Sequence, residues 1–247
     1  MSTPPLPRLR QAVIAARDLD AVAEQLRSRL GLAEPYSDPS VERFGLRNAV
    51  FALRDTFLEV VSPIRPDAPA ARLLERRGGD TGYMLMFQVD DLDAARRRVR
   101  ELGVREVFDV SLDGMAEVHL HPADMRGAIV SLSRPQPPEE WRWGGPGWRA
   151  RSAPFRLTGA TVTVTQPVAV ADRWQSVLGT ELFNVGLRIS AHEVDRGLTE
   201  VILTPDDPDR VPQARGPLVI GGVQFVFESQ EAIDTRLSTT VFEPSRG

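Results

Sequence analysis

The chain has 247 residues, 42% of them hydrophobic and 26% charged, with a formal net charge of −4, which is enough apolar material for a sizeable core. All 30 basic residues are arginines and cysteine is absent, excluding Schiff-base and phosphate-loop lysines, thiol nucleophiles, disulfides and cysteine-ligated metals. The acidic balance gives no footprint for nucleic acid, and no run approaches the ~18 apolar residues of a membrane span, so a cytoplasmic protein without membrane or nucleic-acid partners is expected.

Taken in order, Gln11–Leu32 reads as an apolar strand followed by a helix that Asp18 caps. Short β-like runs follow at Arg43–Leu46, Ala49–Leu53 and Phe57–Val61, separated by turn signals at Arg47-Asn48 and Arg54-Asp55. Arg76-Arg77-Gly78-Gly79-Asp80 is turn-like, and an arginine there could hold a carboxylate at a cavity mouth. Met84–Val104 repeats the strand and helix with Asp91 as cap. Val107–Val110, Ala116–His121 and Ala128–Leu132 then repeat the strands, with a hairpin signal at Asp113-Gly114.

Arg134–Pro154 carries three tryptophans among prolines and glycines, so it is expected to clamp the two halves or cover a pocket mouth. A third copy opens at Gly159–Gly179, with Pro167 early in its helix, and continues through Leu187–Ser190 and Thr199–Leu203. Gly222–Phe227 and Ser229–Leu237 read as the strand and helix of a fourth copy that the chain does not finish.

Alternation in a strand puts Phe57, Glu59 and Val61 on one face, and Gln11, Val13 and Ala15 on another. A carboxylate on an apolar face must find water, a partner or a shifted pKa. The same alternation groups Glu117, His119 and His121, a set able to ligate a metal, act as acid and base, or form a solvated face. His192 lies in HEVDR, where Arg196 replaces the second histidine of a zinc motif, and reads as loop or strand edge. No nucleophile elbow or dinucleotide fingerprint is present.

Paired β-α-β-β-β modules, Asp-Leu-Asp-Ala at 18–21 and 91–94, and Phe-Leu-Glu-Val-Val-Ser-Pro at 57–63 together resemble the vicinal oxygen chelate superfamily of glyoxalases, epimerases, extradiol dioxygenases and bleomycin-resistance proteins. The resemblance implies an α+β fold in which modules 8–62 and 82–133 form a curved, cup-like mixed sheet. A connector at 134–155 and an incomplete second half at 156–247 would follow, the latter completed by packing or by a second copy in a homodimer. It also implies a divalent metal held from the first and last strands of each module, at Gln11, Glu59, Met84 and Ser131, of which the last two are poor hard-metal ligands. The cofactor expectation is therefore none or a single Zn, Ni, Mn or Fe ion on Gln11, Glu59 and His121, with His119 or water completing the shell. Glu59 and His121 are the catalytic candidates, and Gln11, Asn48, Tyr83, Met84, His119 and Ser131 the candidates for contacting a small-molecule ligand. The implied function is that of a glyoxalase-like protein acting on, or binding, a small organic molecule without the full metal site. The alternatives are a metal-dependent lyase, isomerase or epimerase and a resistance-type binding protein.

Overall fold

A computed structural model of the chain describes residues 5–207, 217–229 and 231. The elements are β1 (Arg8–Ala15), α1 (Leu19–Leu30), β2 (Leu46–Leu53), β3 (Thr56–Pro63), α2 (Pro69–Arg77), β4 (Thr81–Gln88) and α3 (Leu92–Glu101). They continue with β5 (Glu106–Leu112), β6 (Met115–Leu120), α4 (Pro122–Met125), β7 (Ile129–Pro135), β8 (Phe155–Val164) and α5 (Pro167–Leu178). β9 (Leu187–Ala191), β10 (Gly197–Pro205), β11 (Leu218–Ile220) and β12 (Val223–Phe227) complete the order. Asp18 and Asp91 cap their helices as expected, accepting the Ala21 and Ala94 amide N–H groups at 3.1 and 2.8 Å.

Seven strands form one sheet in the order β2-β3-β1-β4-β7-β6-β5, and five form a second in the order β11-β12-β10-β8-β9. In the first, β1 runs parallel to β3 and antiparallel to β4, which runs parallel to β7. β10 has the same relations to β12 and β8, and β8 to β9. The second sheet thus repeats the inner pairing of the first. This corrects the expected partition: Thr199–Leu203 lies in β10, an inner strand antiparallel to β8 that opens the fourth copy rather than closing the third, and Gly222–Phe227 supplies the parallel partner that closes the fourth. The helix expected over 229–237 lies outside the described residues apart from Ser229 and Glu231.

The first module also differs from expectation. Arg47 and Asn48 do not turn; they pair with Ser62 and Val61 inside a continuous β2. The strand expected over Arg43–Leu46 does not form: residues 39–44 are a 3-10 helix and Leu46 opens β2, while Tyr36 makes an isolated bridge to Val50. Arg54-Asp55 does form the hairpin turn between β2 and β3. Helix α2, ending at Gly78 in the left-handed region, replaces the turn-like reading of residues 76–77.

Both faces of the large sheet are covered. Ala12, Ile14, Leu58, Val60, Leu85, Phe87, Val130 and Leu132 belong to one core with α1, α3, α5 and the second sheet. Each large side chain buried there contributes about 1.5–3 kcal/mol. The approach is close enough that a Cβ on Gly82 would meet the Leu198 carbonyl oxygen at 2.2 Å, so only glycine fits. The opposite, concave face carries Val13, Ala15, Val50, Val61, Met84, Met86 and Met115 beneath Trp141 and Trp148. That face is the cup. No helix of the described residues is long and apolar enough to cross a membrane.

Candidate active site in the cup

Residues 136–151 cross the concave face and cover the cup. Buried Arg10 holds this segment by donating to the carbonyls of Pro138, Glu139 and Glu140 at 3.3, 3.0 and 3.4 Å, while its guanidinium lies 5.0 Å from the Trp141 ring centre. Burial among these groups pulls the Arg10 pKa down to about 9. Trp141 stacks on Phe57 with ring centres 6.1 Å apart, and Trp148 meets the same ring edge-on at 5.2 Å. Of the two roles expected for the connector, covering the pocket is the one these contacts make.

Beneath it, Glu59 on β3 accepts hydrogen bonds from Gln11 Nε2 and Asn48 Nδ2, both at 2.7 Å. Neither amide is free to turn over. Indole nitrogen only donates, so Trp141 Nε1 at 2.6 Å must face the Gln11 oxygen. The Asn48 oxygen likewise accepts the Asp38 backbone N–H at 2.8 Å. Two NH2 groups are therefore aimed at one carboxylate. Burial opposes ionisation more strongly than these bonds and neighbouring charges alter it, and the Glu59 pKa rises to about 7.

A second carboxylate comes from the other module. Burial pushes Glu117 on β6 upward, but the charge of His119 and hydrogen bonds from His119, Ser133 and Trp143 outweigh it and hold the carboxyl below its ordinary value. Glu117 lies 2.6 Å from His119 Nε2 and 2.6 Å from Ser133 Oγ, and Trp143 Nε1 donates to it at 2.8 Å. Two carboxyls in one cavity with shifts of opposite sign form an acid–base arrangement: one titrates near neutrality, the other stays anionic.

Both carboxyls open onto a cavity of about 130 Å³, walled chiefly by Val13, Val50, Val61, Met84 and Met86. At its rim Phe44 packs edge-on to Phe108 at 4.9 Å, and the Arg43 guanidinium sits 4.9 and 4.8 Å from their ring centres. Burial, followed by the negative charge of Glu59, raises the Tyr83 phenol on the same wall to about 12.

Of the residues expected here, Gln11, Asn48, Glu59, Tyr83, Met84 and His119 line this one cavity. Ser131 faces the concave side but is fully buried, bonding Ser133 at 3.0 Å below the cavity wall. His121 is elsewhere: β6 stops at Leu120, and His121 caps α4, its Nδ1 accepting the Ala123 N–H at 3.1 Å beside Arg105. The expected Glu117, His119 and His121 triplet is thus broken at its last member. Glu117 was expected only as part of the triplet with His119 and His121, and Trp141 and Trp143 only as part of a covering connector, without the specific bonds they make here.

These residues do not fit a divalent metal. Both Glu59 oxygens accept from amides, the Gln11 oxygen faces an indole N–H, and Met84 and Ser131 offer a thioether and a bonded hydroxyl. Among the described residues there is no group of three or more histidine, cysteine, aspartate or glutamate side chains able to hold an ion.

The sequence model of a family described as "Glyoxalase-like domain" matches residues 12–178. The ethylmalonyl-CoA/methylmalonyl-CoA epimerase of Cereibacter sphaeroides is 30% identical over 133 residues, covering 51% of this chain and 97% of that protein. The mitochondrial methylmalonyl-CoA epimerase of Homo sapiens is 27% identical over 134 residues, covering 52% and 74%. Among solved structures, methylmalonyl-CoA epimerase from Mycobacterium tuberculosis aligns at 28% identity and TM-score 0.47 over 55% of this chain and 93% of its own. These relatives match about half of this chain.

Proposed function

The chain belongs to the glyoxalase-like domain family of the vicinal oxygen chelate superfamily, and from that membership and the chemistry of its cup we propose that it acts on a small carbonyl compound by metal-independent proton transfer at Glu59. The carrying observation is the Glu59 carboxyl, held by two fixed amides on an apolar wall and titrating at about 7. A general base works best when its pKa lies near the operating pH.

In the step proposed, ionised Glu59 removes a proton from the carbon next to a carbonyl. The C–H electron pair moves into the carbonyl, giving an enolate, and Glu59 becomes neutral. Charge is moved rather than created, so the cavity holds the same total before and after. Glu117 supports the step by making Glu59 a stronger base, since its negative charge raises the Glu59 pKa. Proton return reverses the transfer. The names of the relatives point to acyl thioesters of coenzyme A as the compound class. A malonyl-type acyl group would bring a further carboxylate beside Glu59 and Glu117 on an apolar wall, so an uncharged acyl group is the better fit.

A second reading is favoured by the position of Glu117 and His119 on the other module. If that pair returns the proton from the opposite side, the reaction inverts the carbon and is an epimerisation. Both readings are tested with isobutyryl-CoA and 2-methylbutyryl-CoA in deuterated water, followed by NMR. Wild-type protein should exchange the proton next to the thioester, and E59Q should lower the rate by ~100-fold or more. Inversion of single-enantiomer 2-methylbutyryl-CoA supports the second reading; exchange with retention supports the first alone. Equal exchange by E59Q and wild type would remove Glu59 from the role.

A further inference from the structure

A second cavity, of about 420 Å³, lies between α2 and the loop from β6 to β7. Its charged and titratable lining is Arg72, Arg76, Arg77, His121 and Tyr83, and no aspartate or glutamate lines it. Helix α2 makes this arrangement: Ala70 and Leu74 are buried inward, while Arg72 and Arg76, four residues apart, share a face. Some arginines elsewhere pair with carboxylates, as in Arg8–Asp55, Arg96–Glu106 and Arg105–Asp124. Among the described residues, Arg72, Arg76 and Arg77 form no ion pair within 4.0 Å. Arg72 Nη1 donates to the Asp67 carbonyl at 2.5 Å. Burial lowers the pKa of Arg77, with Asp195 the opposing charge.

The helix dipole explains arginines in the last turn, where Arg76 and Arg77 stand. It does not explain Arg72 a turn earlier, or the convergence of all three on one concavity. Pro69, Tyr83 and Ile129 line this cavity and the cup alike, so the two are neighbours across one wall. A ligand with its reacting end in the cup can place a distal anionic end here.

We propose that the arginine-lined cavity binds the phosphate groups of a phosphorylated carrier whose uncharged acyl end enters the cup. Three guanidinium groups on a concavity that no carboxylate lines match a multiply charged phosphate better than a single carboxylate, because each can donate paired charge-assisted hydrogen bonds. The proposal deepens the reading of the cup given above and rests on it for the acyl end. The phosphate site itself is testable alone.

The test is calorimetric titration of the full chain with coenzyme A, inorganic pyrophosphate and S-isobutyryl-pantetheine, the last carrying no phosphate. R72Q/R76Q changes two side chains on an exposed helix face, and its melting temperature reports folding. Coenzyme A should bind wild type with an affinity that falls as salt rises, and bind folded R72Q/R76Q about tenfold or more weakly. Pyrophosphate should show the same difference, whereas S-isobutyryl-pantetheine should bind both alike. E59Q should leave coenzyme A binding unchanged, so loss of turnover and loss of phosphate binding are separate results. Equal coenzyme A affinity in wild type and folded R72Q/R76Q, or absence of coenzyme A and pyrophosphate binding by wild type, overturns the proposal.

Discussion

Trp141 donates its indole N–H to the Gln11 side-chain oxygen at 2.6 Å, joining two residues 130 positions apart. The bond decides which end of the Gln11 amide meets Glu59. In W141F the oxygen is released, and the amide can turn it toward the carboxyl, an orientation that favours a protonated acid. The variant should therefore move the Glu59 midpoint upward from about 7. It should also destabilise the fold by ~2–4 kcal/mol through a cavity and an unpaired oxygen. A Glu59 titration unchanged in folded W141F would mean that Trp141 does not orient the amide.

Stability should carry the mark of Glu59 in the neutral range. Its folded pKa of about 7 lies above the ordinary 4.5, so between those values the folded state holds more protons than the unfolded state. Stability must then fall as pH rises from 5 to 8, by on the order of 3 kcal/mol for this group. E59Q should flatten that slope. Urea denaturation of both proteins at pH 5, 6, 7 and 8 checks it, and parallel slopes would place the shift elsewhere.

Glu117 should show the opposite sign. Its folded pKa is depressed, so its contribution is present above the ordinary carboxyl value and lost as pH falls through the folded one. H119F keeps a ring beside Phe108, whose centre lies 4.7 Å from that of His119, but removes the strongest influence favouring the Glu117 anion. The variant should lose ~3 kcal/mol at neutral pH, with the deficit shrinking as acid protonates Glu117. A deficit independent of pH would indicate lost packing alone.

Metal addition is a further check. With the Gln11 and Glu59 oxygens engaged, equilibrium dialysis against Zn, Ni, Mn or Fe should leave no stoichiometric ion that depends on Glu59. One equivalent per chain, lost in E59Q, would contradict the assignment of these donors.

Much of this architecture was legible in the sequence because local signals and tertiary demand agreed. Asp18 and Asp91 cap, and alternation through Phe57, Glu59 and Val61 pointed the carboxyl into the cup. Where the two diverged, local reading failed. Arg47-Asn48 resembles a turn because both residues are polar, yet Arg47 reaches Asp20 outside at 3.0 Å while Asn48 bonds Glu59 inside. Alternation carried His121 onto the cup face, but Pro122 opens α4 and ends the strand one residue earlier. The contacts of Trp141 and Trp143 depend on the path of the connector, which no local pattern encodes.

The most direct measurement is the ¹³C carboxyl titration of Glu59, assigned by the signal missing in E59Q. A midpoint at about 7, rising in W141F, is the expected result. A midpoint at the ordinary 4.5 would contradict it, leaving Glu59 a permanently ionised wall group with no proton to exchange near neutrality.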